Sequence, residues 1–223
     1  MSYAILIDGG FVRRKLGSKD SFVTVEVIQC LVNQIRSANP LACKDFYRVF
    51  FYDAKPLESK EQRPLNGGVE DFGASVLKEK ITGLFDGLKV QPYFAMRFGE
   101  VSFNGWMLKA SLLKKNIGTE RLTITKDDLK PNVSQKGVDM RIGLDMASLT
   151  LKKIVDTIVL VTGDSDFVPS MKFVRREGAQ IYLVPLKHRI KDSLIEHSDL
   201  VIDINPKDIL NSSKKVSKKS KQN

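Results

Sequence analysis

Thr157-Ile158-Val159-Leu160-Val161-Thr162-Gly163-Asp164-Ser165-Asp166-Phe167 decides the fold of this chain. The run Thr157–Thr162 is apolar on both alternating faces, which suits a strand covered from both sides in a parallel sheet. It stops at a glycine and then places two carboxylates within three residues. The N-terminus repeats the theme: Tyr3–Ile7 is an apolar run that closes on Asp8-Gly9-Gly10, a buried strand followed by a tight turn.

Between and beyond these runs, strand and helix patterns alternate. Phe22–Ile35 carries Val23, Val27, Leu31 and Ile35 at helical spacing, and Asp45–Tyr52 reads as an aromatic strand. Asp71–Leu84 is helical in pattern, and Val90–Phe98 is a strand. Lys136–Lys153 is a helix, Phe167–Glu177 another that closes on Gly178, and Gln180–Val184 a strand. Ile190–His197 is a short helix and Leu200–Ile204 a last strand. Such alternation predicts a Rossmann-like three-layer α/β/α domain with a mainly parallel central sheet. The stretch 99–135 is the least regular. It holds an Asn104-Gly105 hairpin signal and a polar loop over Lys126–Asn132, and is expected to be an insertion or flap.

Composition sets the bounds. With 223 residues and 42% apolar residues, the chain can bury a core of ordinary size. We expect one domain over 1–206 and a disordered basic tail over 207–223. Thirty-six Lys and Arg against 26 Asp and Glu leave a net charge of +10, which favours polyanionic partners. Five of those charges are lysines of the tail (Lys214, Lys215, Lys218, Lys219, Lys221), so basicity alone argues weakly for nucleic acid. Cys30 and Cys43 form no CxxC pair, and no membrane-length apolar run or secretory leader is seen; the expectation is a soluble cytoplasmic protein. Apolar residues in 99–135 leave room for a homodimer, though nothing requires one.

In open parallel sheets, ligands bind beyond the carboxyl ends of the strands. Asp8, Asp164 and Asp166 stand at two such ends. Carboxylates held close repel one another unless a cation neutralises them, and an all-oxygen set suits Mg²⁺ or Mn²⁺. The competing structural role is helix capping, for which Asp166 before Phe167 is well placed. Asp139 is also explained as a first-turn acid favoured by the helix dipole. Asp145 lies on the inward stripe with Val138, Ile142 and Leu149, so it is either paired or a support for the site, as is Ser165 between the two acids. Arg13, Arg14 and Lys15 are placed to grip a single-stranded backbone or to form a solvated basic turn. Phe11 and Trp106 are candidates for stacking on bases, Phe11 equally for the core. The chain has no GxxxxGK[ST] loop, GxGxxG or HExxH, and only His188 and His197 as histidines.

Ile7-Asp8-Gly9, Lys136-Gly137-Val138-Asp139 and Val161-Thr162-Gly163-Asp164-Ser165-Asp166-Phe167 together resemble the three signature blocks of the NYN domain, the LabA-like proteins of the PIN-like nuclease superfamily. The resemblance runs over roughly residues 3 to 204, with 99–135 poorly covered. It implies a PIN-like α/β/α sandwich and metal-dependent cleavage of RNA, with Asp8, Asp139, Asp164 and Asp166 as the acids that hold Mg²⁺ or Mn²⁺. It also implies that Lys136 contacts a phosphate. In one respect the chain departs: Phe11 stands where the family commonly has Asn. The expected activity is therefore hydrolysis of phosphodiester bonds in RNA, single strands favoured. Two alternatives stay open, a catalytically degenerate nucleic-acid-binding regulatory module and a small-molecule phosphatase. Asp8-Gly9-Gly10 lacks the DxD of the haloacid dehalogenase type, which disfavours the latter.

Overall fold

A strand apolar on both faces has to be sandwiched, and the computed structural model, which describes residues 1–18 and 21–219, builds the molecule around two of them. In chain order, β1 (Ser2–Asp8) leads into α1 (Gly9–Leu16), α2 (Val25–Arg36) and β2 (Asp45–Ala54). A small antiparallel ribbon, β3 (Lys60–Gln62) with β4 (Val69–Asp71), precedes α3 (Val76–Lys89) and the long β5 (Phe94–Leu108). Then come α4 (Ala110–Lys115), β6 (Leu129–Lys136), α5 (Val138–Leu151), β7 (Thr157–Val161) and α6 (Val168–Arg176). The chain ends with β8 (Gln180–Leu183), α7 (Asp192–Glu196), β9 (Leu200–Val201) and α8 (Pro206–Lys219).

The seven-stranded main sheet runs β6-β5-β2-β1-β7-β8-β9, and every neighbouring pair is parallel except β5–β6. Tyr3, Ile5 and Ile7 of β1 face a core completed by α1, α2, α3 and α8, while Ala4 and Leu6 face one completed by α5, α6 and α7. This is the expected three-layer α/β/α arrangement with a mainly parallel sheet. The chain steps from β1 outward through β2 and β5, then returns to β7 on the other side of β1. The order therefore reverses between β1 and β7, where parallel sheets open a crevice for ligands.

Four local expectations are corrected. The tight turn after Asp8 is a helix, α1, because the Asp8 carboxylate caps it by accepting from the Phe11 amide at 2.9 Å. The region 99–135 is not a separate flap for most of its length: β5 continues through it and pairs with β6, widening the sheet at its edge. Within β5, Asn104-Gly105 makes no hairpin turn. Gly105 adopts φ +86° at a register shift between Phe103 and Trp106, so it forms a bulge, which a positive φ permits as readily as a turn. Lastly, residues 207–219 of the expected disordered tail lie in the helix α8 (Pro206–Lys219). Ile209 is fully buried in the core that α2 also lines, and that burial orders a segment whose composition is polar. Residues 220–223 lie outside the described residues.

Among the described residues no helix is long and apolar enough to cross a membrane.

Candidate active site

β1 and β7 lie side by side with Ile7 opposite Val161, so the residues that follow each strand emerge together. Asp8 is buried, 8% exposed, and both of its oxygens are engaged: Oδ1 accepts from the Phe11 amide and Oδ2 from the Thr162 hydroxyl at 3.1 Å. Thr162 also accepts from the Asp164 amide at 3.2 Å, so one buried hydroxyl ties the two strand ends together. Asp164 in turn accepts from the Asp166 amide at 3.0 Å and opens the 3₁₀ turn Ser165–Phe167. Capping, expected for Asp166, thus falls to Asp164, and Asp166 is left exposed.

Asp139 reaches the same place from the opposite side of the sequence. β6 ends at Lys136, and Gly137 at φ +76° turns the chain into α5. Only glycine enters this left-handed region without strain. The turn puts Asp139 in the first helical turn, exposed and within electrostatic reach of the other three acids. Lys136 is exposed at the last residue of β6.

The electrostatics identify the cluster. Burial pushes the Asp8 carboxyl above its ordinary range, and the charge of Asp139 adds to this; the two hydrogen bonds and the Arg14 charge pull the other way. Asp139 is raised first by partial desolvation and then by the charges of Asp164 and Asp166. Asp139 is thus the acid that links the others electrostatically, adding its charge to that felt by Asp8 and feeling the charges of Asp164 and Asp166, a repulsion that a cation would relieve. Their donor chemistry, oxygen only, fits the hard divalent ions. Among the described residues no three His, Cys, Asp or Glu side chains stand in a ready metal-ligating arrangement, and the carboxylates of Asp139, Asp164 and Asp166 are exposed. Each Asp8 oxygen keeps a second lone pair, so its present hydrogen bonds do not bar it from ligation.

Other expected site residues are placed differently. Arg13 does not face solvent for nucleic acid: it forms a bidentate pair with Asp53 at 2.7 and 2.8 Å, and Asp53 is fully buried. Arg14 remains available and acts on Asp8. Asp145 accepts from the Tyr52 hydroxyl at 2.8 Å and from Arg97 at 3.0 Å, so it is a paired structural acid. Ser165 accepts from Lys191 at 2.9 Å. Phe11 is core, 4% exposed, with its ring edge-on to His188. Trp106 donates its indole N–H to the Gln62 carbonyl at 2.9 Å and carries Arg63 over its face, which binds the β3–β4 ribbon to the edge of the sheet.

Two residues that shape the strand ends around the site escaped the sequence reading. Asp53 stands one residue before the end of an apolar strand, close to the rule that singled out Asp8, but reading β2 only to Tyr52 hid it. Thr162 stood inside the quoted motif, yet nothing local says that its hydroxyl bridges two strand ends. A Cβ on Gly9 would come within 2.6 Å of the Tyr52 carbonyl and 2.8 Å of Asp53, which is why a glycine follows Asp8.

Residues 4–205 match the profile of the NYN domain family. Over 81 residues the chain is 26% identical to an uncharacterized protein of Methanocaldococcus jannaschii, MJ0482; the matched stretch is 36% of this chain and 34% of that protein. The chain thus spans about a third of the length of that relative. Among solved structures, a protein of unknown function from Vibrio parahaemolyticus, VPA0982, aligns over 92% of this chain and 93% of its own, with 14% identity and a TM-score of 0.48.

Proposed function

The chain belongs to the NYN domain family, within the PIN-like superfamily of nuclease-like domains, and on that premise we propose that it is a metal-dependent ribonuclease that hydrolyses phosphodiester bonds in single-stranded RNA. The observation that carries this reading is the convergence of Asp8, Asp139, Asp164 and Asp166 at the point where the strand order reverses, with no basic side chain ion-paired to any of them among the described residues. Structural acids in this molecule are matched by Arg13, Arg97 or Arg175; these four are not.

Mg²⁺ or Mn²⁺, when bound, supplies positive charge to the scissile phosphate and lowers the pKa of a water. The protein's own part is positioning. Phe11 and Thr162 hold the Asp8 carboxylate fixed in a buried place, so one ligand is preorganised. Asp139 at the start of α5 and the Asp164–Asp166 turn face it from two other elements. To Lys136 and Arg14 this reading assigns contacts with the phosphates of the strand. Metal preference and the RNA class are part of the proposal.

Cleavage of a labelled single-stranded RNA with Mn²⁺, Mg²⁺ or EDTA, beside Asp139→Asn, tests it. Asp139 is the cleanest position because its carboxylate is exposed on the helix's first turn, whereas Asp8 and Asp164 cap the chain. The expected outcome is cutting that needs the metal and falls at least about 100-fold in the variant, as removal of one electrostatic contributor does. Cutting that persists in EDTA, or equally in Asp139→Asn, overturns the reading.

A second reading, a binding module without turnover, is favoured by Phe11 in the family's Asn position and by the open arrangement of the acids. It predicts intact RNA with every divalent ion, and binding that weakens steeply with salt.

A further inference from the structure

Asp164, alone of the four acids, lines an open pocket of about 560 Å³. One wall is the turn Gly163–Ser165 and α1, which contributes Phe11 and, from its last turn, Arg14 and Lys15. The facing wall is the segment after β8, which contributes His188, Arg189 and Lys191. Four full cations therefore line it against one acid, Asp164.

These cations are not spent elsewhere. Among the described residues, none of Arg14, Lys15, Arg189 and Lys191 forms a salt bridge. Lys187, the cation of the same segment that is absent from the pocket lining, is neutralised by Asp203. The facing wall is also held firmly. Leu186 and Lys187 both adopt positive φ, 50° and 55°, the left-handed region that non-glycine residues enter only when their surroundings compel it. The His188 amide donates to the Pro185 carbonyl at 2.8 Å, and the His188 ring lies against Gly163 so closely that a Cβ there would come within 2.4 Å of it. Ser165 accepts from Lys191, which leaves its own hydroxyl hydrogen free to donate to a ligand oxygen.

We propose that this pocket is a phosphate-binding subsite, which seats a phosphoryl group of the nucleic-acid strand one step from the carboxylates. It deepens the nuclease reading and rests on it for the identity of the strand. Unpaired guanidinium and ammonium groups around a hydroxyl donor are the chemistry that recognises phosphate. The group is either an internal phosphodiester, with two non-bridging oxygens, or the monoester at a strand's 5′ end, with three; guanidinium and ammonium groups bind either.

The test is binding of 3′-labelled oligoribonucleotides, with a 5′-phosphate or a 5′-hydroxyl, in EDTA, by fluorescence anisotropy. The protein is compared with Arg189→Gln/Lys191→Gln and with a charge-matched control, Lys152→Gln/Arg176→Gln. The control residues sit at the far ends of α5 and α6, whose first turns face the site. The expected result is at least about a tenfold loss of affinity in the pocket variant alone, with a salt slope shallower by about 0.7, the change for one lost phosphate contact on a single strand. A loss confined to the 5′-phosphorylated strand assigns the pocket to a terminal phosphate, and an equal loss on both strands assigns it to an internal one. Unchanged binding by the pocket variant, or an equal loss in the control, overturns the proposal. Because EDTA removes turnover from the assay, a wild-type protein that never cleaves RNA sinks the nuclease reading without altering this result.

Discussion

Two neighbouring strands of this sheet end in aspartate, and the fold treats the two acids in opposite ways. β1 ends at Asp8 and β2 carries Asp53 next to its last residue; Asp8 lies opposite Tyr52 in the ladder, so the two are close in space. Asp53 is fully buried and clamped by a bidentate arginine, with the Ala54 amide as a further donor at 2.8 Å. Asp8 is also buried but receives only neutral donors, and burial, with the charge of Asp139 added, raises its pKa. An acid at a strand end is therefore not by itself a functional signal. It becomes one where the protein buries the charge and leaves it uncompensated.

The largest way to break this comparison is to remove the compensated acid. Asp53→Ala leaves the Arg13 guanidinium, whose side chain is 23% exposed, without its partner, and we expect a loss of about 3 kcal/mol, the lower end for a broken buried pair. Urea unfolding measures it, and a loss below about 1 kcal/mol would show that the pair is not a structural anchor.

A middle-sized effect is expected from Thr162→Val, which keeps the shape of the side chain and deletes the hydroxyl between Asp8 and Asp164. The cost is about 1–2 kcal/mol, since the Asp8 carboxylate loses a buried donor. If unfolding of this variant matches the wild type, the bridge between the strand ends contributes nothing to holding them.

The smallest effect sharpens the comparison by its sign. Asp139→Asn should be no less stable than the wild type at neutral pH without metal, by at most about 0.5 kcal/mol as for an exposed substitution. The folded-state pKa of Asp139 is raised, so its contribution is most favourable below the ordinary carboxylate range and is lost as pH rises through the raised value. The variant should thus gain on the wild type as pH climbs from about 3 toward neutrality. Thermal midpoints across that series in EDTA check the direction, and a wild type that gains instead contradicts the repulsion. Mn²⁺ or Mg²⁺ should reverse the order by stabilising the wild type alone.

The alternation of strands and helices was readable because both-face apolar strands and helical stripes are local patterns. So were Asp8, Asp139, Asp164 and Asp166, which flank those patterns at strand ends and at a helix start. Boundaries were less so: the Asp8 cap turned an apparent loop into α1, and β5 ran on past Phe98 because an edge strand with a bulge has no clean alternation. The C-terminal helix was missed since composition cannot show that Ile209 finds a core to enter.

From the sequence alone come the alternation of strands and helices, the three layers and the strand-end positions of Asp8, Asp164 and Asp166, since periodicity and strand-end chemistry are short-range properties; Asp139 was singled out by the resemblance of its motif. The tertiary structure alone decided which charges are cancelled. Arg13 lies 40 residues from Asp53, and Lys191 lies 26 residues from Ser165. Pairings at such separations depend on strand order and helix placement, and those are set by burying the whole apolar surface at once.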